Sequence, residues 1–258
     1  MRLAFDSDFF AHVNASRIAE GEKPSKVLRI FETALRIRFL AFLLWMAEGV
    51  AVFLLSLNIP IYRSLLSAYI GHMQGLPNFL GNYMRALYWR SRLGHMGRNV
   101  MIEQNVFFAN PKMIRLSDFS FIDKNVMILA KSVSVGRRVH IAPNAFISGG
   151  GCFSIADHAC IGAGVQVITA TEVISHGNRC SGPMTRPDER SVFRSQVLIE
   201  EDAFIGAGAI LLPGVLIKRG AVVGAGLVVQ TDVEEWVMAF PSRPGAAAKR
   251  QPVRFPEI

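Results

Sequence analysis

The chain is poor in charge and in cysteine. Of its 258 residues only 19% are Asp, Glu, Lys or Arg, while 51% are hydrophobic. Three cysteines, Cys152, Cys160 and Cys180, form an odd set without zinc spacing, so neither a disulfide framework nor a cysteine-based zinc site is expected. No helix-turn-helix, zinc-finger or RNA-recognition signature accompanies the net charge of +8, and nucleic acid is therefore not an expected partner. The basic balance points to other anions, either a phospholipid surface or a phosphate-rich ligand. Residues 1–27 contain acids and lack an apolar core, so no signal peptide is expected and the compartment reads as cytoplasmic.

One long hydrophobic run is present. From Phe39 to Leu57 the chain is almost wholly apolar, broken by Glu48 and Gly49, with Lys26, Arg29, Arg36 and Arg38 ahead of it and Arg63 behind. Nineteen residues just reach across a hydrocarbon core, but a carboxylate at mid-depth is costly there. Pro60 suggests a helical pair over residues 28–58 and 61–72. Three readings stay open: a re-entrant or surface-lying helical pair at the inner face of the cytoplasmic membrane, a buried oligomerisation hairpin, and a true span. Residues 75–95 read as an amphipathic helix whose cationic face carries Arg85, Arg90 and Arg92, or else as a cap over the start of the next domain.

Beyond residue 100 the chain is a repeat. Ile199, Ile205, Leu211, Ile217, Val223 and Val229 recur every six residues, and Ala203, Ala209, Val215, Ala221 and Leu227 stand four residues after the first five. A helix needs a period near 3.6 and an isolated strand a period of 2. Six fits three short strands per turn of a triangular solenoid, with the aliphatic pointing inward and the small residue beside each corner. The same register runs less regularly through Leu116, Ile122, Ile128, then Val135, Ile141, Ile147, then Ile155, Ile161, Val167. Extra residues near Lys131 and at Gly149-Gly150-Gly151 predict bulged corners. Five to six coils result, from roughly residue 100 to 230.

The stretches Ile205-Gly206-Ala207-Gly208-Ala209, Leu212-Pro213-Gly214-Val215 and Val223-Gly224-Ala225-Gly226 resemble the closing coils of the hexapeptide-repeat acyltransferases. The match to their sugar O- and N-acetyltransferase branch covers about residues 75–250. Val237-Met238-Ala239-Phe240-Pro241-Ser242-Arg243 resembles the ending of that family, with Phe240 and Ser242 departing from its small-residue and alanine positions. The resemblance implies a left-handed parallel β-helix behind an N-terminal apolar helical region, assembled as a homotrimer. It also implies acetyl-CoA or another acyl-CoA as co-substrate, lying in a groove between neighbouring prisms, and no metal. Ala207, Gly208, Gly224 and Ala225 would let a pantetheine arm approach the backbone, and Arg243, Lys249 and Arg250 would meet the nucleotide phosphates. The bland alternatives are ordinary corners and a solvated tail.

Between Val167 and Val197 the hexads vanish into a polar segment with Gly177, Gly182, Pro183 and Pro187. A loop this long inside a repeat is usually functional, and in the resembled family such an excursion helps form the acceptor pocket. Acyl transfer needs a base for the acceptor proton and a donor for the oxyanion. His176, in the loop, is the first candidate for the base. His140 is the second, with an ordinary surface histidine as its alternative, and His158 looks like a corner residue. Glu172 stands where galactoside-type relatives carry the catalytic histidine; it would orient a histidine, bind acceptor hydroxyls or serve as the base. Asn178 and Arg179 are candidates for acceptor binding.

The expected organisation is a helical region over 1–97, a β-helix over 98–236 with an inserted loop 168–196, and a tail over 237–258. The expected activity is acyl-CoA-dependent acylation of a hydroxyl or amine on a sugar, glycan or glycolipid. One rival is a γ-type carbonic anhydrase, since His140, His158 and His176 are spaced by eighteen, but the shift after Ile147 takes His140 and His158 out of register. The others are a non-catalytic trimeric scaffold, and a serine acetyltransferase, whose His-Asp sequence is absent.

Overall fold

The computed structural model describes residues 3–57, 76, 78–175, 177–180 and 182–240, together with the backbone of 248–249. The expected helix at 61–72, and Pro60 with it, lies outside the described residues. From His95 to Ala239 the chain winds into a parallel β-helix of three faces. Face one stacks the strands at 95–96, 114–116, 132–135, 152–155, 197–199 and 216–217; faces two and three stack their own strands in the same way. Six coils are complete, and Val233 and Val237–Ala239 begin a seventh.

The six-residue period maps directly onto the core. Ile102, Ile122, Ile141, Ile161, Ile205 and Val223 form one fully buried column under face two. Phe108, Ile128, Ile147, Val167, Leu211 and Val229 form another under face three. Each such burial contributes about 1.5–3 kcal/mol. The small residues four later are buried as well, among them Ala159, Ala203 and Ala221. The helix starts one coil above the register read from Leu116, because Met96, Ile102 and Phe108 already share it and only the short 3-10 turn Pro111–Met113 interrupts the count. The extra residues at Lys131 and Gly149–Gly151 fall at the edge between faces three and one, as bulged corners.

The corners require backbone in the left-handed region. At the edge between faces two and three this residue is Asn105, Asn125 and Asn144 in the first three coils, then Gly164, Gly208 and Gly226, with φ from 59° to 70°. The asparagines are bonded coil to coil, Asn105 Nδ2 to Asn125 Oδ1 at 3.2 Å and Asn125 Nδ2 to Asn144 Oδ1 at 3.1 Å. Below them the edge is bare glycine.

Among the described residues four helices precede the solenoid: α1 (Ser7–Ala19), α2 (Lys26–Arg36), α3 (Arg38–Ser56) and α4 (Asn78–Arg92). The break between α2 and α3 is at Ile37, whose extended backbone caps both. Helix α4 closes the open first coil, placing Trp89 and Leu93 in the same buried cluster as the β-helix core. This corrects the reading of 75–95 as a helix with a free cationic face. Arg85 is 3% exposed; its Nε donates to the Ile102 carbonyl at 2.8 Å and Nη1 to that of Leu76 at 2.9 Å. Glu103 lies 3.6 Å from its guanidinium. Arg90 donates to the carbonyls of Leu3 and Gly97. A topmost coil must hide unpaired backbone and apolar ends, and these arginines are the polar fastening of the lid that does so.

Replacing Arg85 removes the buried donor to the Ile102 carbonyl and the cation beside Glu103, which keeps only its bond from Asn82. The Arg85→Ala variant is expected to lose about 3–5 kcal/mol of stability, read as a lowered denaturation midpoint, while Arg115→Ala on the exposed face should change it by less than about 0.5 kcal/mol. Equal midpoints for the two variants would contradict the role given to the lid.

Candidate functional site

Three features break the regularity of the prism: a glycine–alanine edge, a histidine–aspartate pair, and a hairpin. The first lies between faces two and three. Gly162-Ala163-Gly164, Gly206-Ala207-Gly208 and Gly224-Ala225-Gly226 occupy it in coils four, five and six. The first glycine of each triplet is demanded by stacking: a Cβ on Gly206 would lie 2.5 Å from the Ala225 nitrogen, and one on Gly162 2.7 Å from that of Ala207. Gly224 belongs to this class too, buried against Ala239 and Phe240. Ala207, Gly208 and Ala225 instead face outward, and nothing lies near a Cβ built on Gly208. The result is a smooth track of exposed backbone three coils long. Above it the same corner in coil three reads Ala142-Pro143-Asn144, and the track ends.

Beside that end stands His140, on the outer side of face two next to the inward Ile141. Its Nε2 lies 3.3 Å from Asp123 Oδ2, and its ring stacks on Phe121 with centroids 4.8 Å apart and planes 9° from parallel. The aspartate fixes which ring nitrogen is free: with Nε2–H donating to Asp123, Nδ1 carries the lone pair. Nδ1 points along the stack toward Cys160 Sγ, 4.0 Å away. Burial pushes the Cys160 thiol up, so it meets the imidazole as a neutral neighbour. Asp123 and Phe121 were not among the residues singled out from sequence. The signal was the coil-to-coil pairing of Phe121 with His140, which puts Asp123 two residues past the histidine's own rung.

The hairpin leaves from a different edge, between faces three and one, after coil four. Ala170–Glu172 pairs antiparallel with Val192–Arg194. Its base is seated on the glycine corner one coil above. Buried Thr169 donates through Oγ1 to the Ser148 carbonyl at 2.7 Å and accepts the Gly151 N–H at 3.1 Å. Any side chain at Gly149, Gly150 or Gly151 would strike Thr169, Ala170, Arg194 or Ser195. The three glycines are the bed on which the insertion rests.

On the hairpin, Glu172 Oε1 lies 4.0 Å from Arg190 Nη1, and its Oε2 is buried without a hydrogen-bond partner. Arg179 pairs with Glu189 at 3.2 Å, and Asn178 donates to the Ser175 carbonyl. Ile174, Met184 and Phe193 are exposed. His176, Arg243 and Arg250 lie outside the described residues, as does the side chain of Lys249. The Lys249 backbone pairs antiparallel with Val237, so the chain after 237 adds two strands to face two. His140 and Glu172 therefore stand at different edges of one prism. His140 stacks on Cys160 and not on His158, which occupies a left-handed corner at φ 61°. Among the described residues no three His, Cys, Asp or Glu side chains converge as a metal site would require.

Comparison with known proteins agrees with this architecture. Residues 196–231 match the family described as the hexapeptide repeat of succinyl-transferase. The dTDP-4-amino-4,6-dideoxy-D-glucose acyltransferase of Escherichia coli is 29% identical over 153 residues, covering 58% of this chain and 79% of that one. The galactoside O-acetyltransferase of Lactococcus lactis is 36% identical over 86 residues, 33% of this chain and 38% of its own. Among solved structures, the N-acyltransferase AntD from Bacillus cereus, in complex with dTDP and 3-hydroxybutyryl-CoA, superposes with a TM-score of 0.56 at 26% identity. That match covers 62% of this chain and 85% of AntD. In its coils, its glycine–alanine edge and these relatives, the chain carries hexapeptide repeats and is similar to sugar acyltransferases built on them.

Proposed function

We propose that the protein transfers an acyl group, acetyl in the first place, from acyl-CoA to a hydroxyl or amine of a sugar carried on a nucleotide, glycan or lipid. The observation that carries this reading is the ending of the glycine–alanine track beside His140. Coils stack about 4.8 Å apart, so the edge runs roughly 14 Å from coil six to coil three, comparable to an extended pantetheine arm. An arm laid along Ala225 and Ala207 brings its thioester to the level of the histidine. The relatives named above act on an amino sugar linked to dTDP and on galactosides, which supports a sugar acceptor.

In this reading His140 Nδ1 takes the acceptor proton as the oxygen or nitrogen attacks the thioester carbonyl, and Asp123 holds the ring and balances the imidazolium. The tetrahedral centre collapses with cleavage of the C–S bond, and the imidazolium returns its proton to the departing thiolate. The acceptor pocket is closed by the hairpin of an adjacent chain, because within one chain the hairpin and the track lie at different edges. A homotrimer supplies that geometry, with the exposed Ile174, Met184 and Phe193 covered at the contact. Arg179 and Asn178 line the acceptor side, while Arg243 and Lys249 serve the nucleotide end of CoA. An acyl-CoA donor supports a cytoplasmic enzyme, and the apolar helix Arg38–Ser56 supports attachment at the inner face of the membrane.

Mass spectrometry after incubation with acetyl-CoA and a panel of amino- and hydroxy-sugar nucleotides should show an acetylated product. The His140→Ala variant should lower kcat by roughly 10²–10⁴-fold with little change in the KM for acyl-CoA, and Asp123→Asn by less. Retained turnover in His140→Ala, with a loss in His176→Ala or Glu172→Gln, would move the base to the hairpin.

A bulky group at Ala225 would occupy the track without disturbing the core, since that side chain faces outward. For Ala225→Trp, the KM for acyl-CoA should rise by about tenfold or more, the equivalent of roughly 1.4 kcal/mol, with an unchanged circular dichroism spectrum. An unaltered KM in the folded variant would remove the arm from this edge.

A further inference from the structure

Helix α3 is long and apolar enough to cross a membrane by length and composition, yet one of its sides is already taken. Glu48, 3% exposed, accepts the Ala4 N–H through Oε2 at 2.9 Å and the Tyr83 hydroxyl through Oε1 at 3.0 Å. Arg90 lies 3.5 Å from the same carboxylate. Burial pushes the Glu48 carboxyl above the usual range, against the opposing pull of the Ala4 amide, Tyr83 and Arg90. Ala51, Val52 and Leu55 pack beside it on the cluster built from Phe5, Phe9 and Leu87. Through α4 this side of α3 is fastened to the β-helix.

Among the described residues nothing covers the other side. Phe39 and Phe53 are 67% and 63% exposed, and Phe42, Trp45, Met46 and Val50 lie open between them. On α2, Val27 and Ile30 are exposed as well. A monomeric soluble protein rarely presents so much contiguous apolar surface without a partner. The rim is basic on balance: Lys23, Lys26, Arg29 and Arg38 are exposed, Arg36 is paired with Glu32, Glu22 is paired with Arg17, Glu20 is exposed, and the one acid within α3 is turned inward. An apolar strip edged by cations matches an anionic lipid leaflet.

We infer that α2 and α3 lie in the plane of the membrane interface as a single-leaflet anchor for anionic phospholipid, with α3 not crossing. This rests on the membrane placement proposed above and is independent of the transfer chemistry. A crossing would strip Glu48 of Ala4, Tyr83 and Arg90 and carry its carboxyl into hydrocarbon. It would also leave lipid against a side of α3 that is occupied by the water-facing solenoid's lid.

Trp45 makes the inference measurable on the full-length protein. It sits open near the middle of α3, whereas Trp89 is buried in the core and Trp236 is in the seventh coil at the opposite end of the solenoid. The protein should float with vesicles containing phosphatidylglycerol and far less with pure phosphatidylcholine. Trp45 emission should be quenched by lipids brominated near the headgroup end of the chains. Quenching only by bromines at the chain terminus would mean a span and overturn the in-plane anchor while leaving the membrane placement intact. Neither flotation nor quenching would overturn both, leaving a second copy of the chain as the cover. Phe39→Ser combined with Phe53→Ser should weaken vesicle binding by about tenfold or more with circular dichroism preserved, and unchanged binding would contradict the assigned face.

Discussion

Every other property of this molecule depends on the close stacking of successive coils. Face-two strands from coil to coil are joined by short parallel pairings such as His140 with Cys160 and Cys160 with Phe204. Backbone hydrogen bonds of 2.7 Å run from Gly162, Gly206 and Gly224 to the coil below. Stacking at that distance forbids a Cβ at these glycines and forces an outward left-handed residue two positions on. The exposed edge available to a ligand is a by-product of that constraint, and so is the column of aliphatics inside.

Because stacking is periodic, it was legible wherever it was regular. The hexads from Ile199 to Val229 are uninterrupted, and the coils they predict are present. The bulged corners at Lys131 and Gly149–Gly151 were equally visible, since each shifts the register by a countable amount. Contacts between coils were not legible. Asp123 approaches His140 from the neighbouring coil, at a sequence distance set by the bulged corner between them and carrying no pattern of its own. Glu48 looked like an interruption in an apolar run; its reason is a hydrogen bond to Ala4, far away in sequence. Arg85 and Arg90 read as a cationic face because charge in a helix is usually solvated, and the lid buries Arg85 wholly and Arg90 in part for the carbonyls they satisfy.

The insertion shows the same logic at a larger scale. The hairpin after Val167 leaves the prism without disturbing the stack, because the strands before and after it remain in register, Val167 over Leu211 and Ile155 over Ile199. Its seat is a corner stripped to glycine. A solenoid can extend a long segment from one edge at little cost to its core, which would let the proposed acceptor side vary while the track on another edge stays fixed. Likeness to an amino-sugar acyltransferase and to a galactoside acetyltransferase on one scaffold fits that division of labour.

In the proposed mechanism the donor lies on the edge between faces two and three and ends at His140. A structure of the full-length protein with bound CoA tests it most directly. The account predicts the pantetheine arm within about 4 Å of Ala207 and Ala225, the usual range of van der Waals contact, its sulfur beside the His140 ring and a neighbouring chain's hairpin across from it. An arm bound along face one, or a sulfur remote from His140, would contradict it.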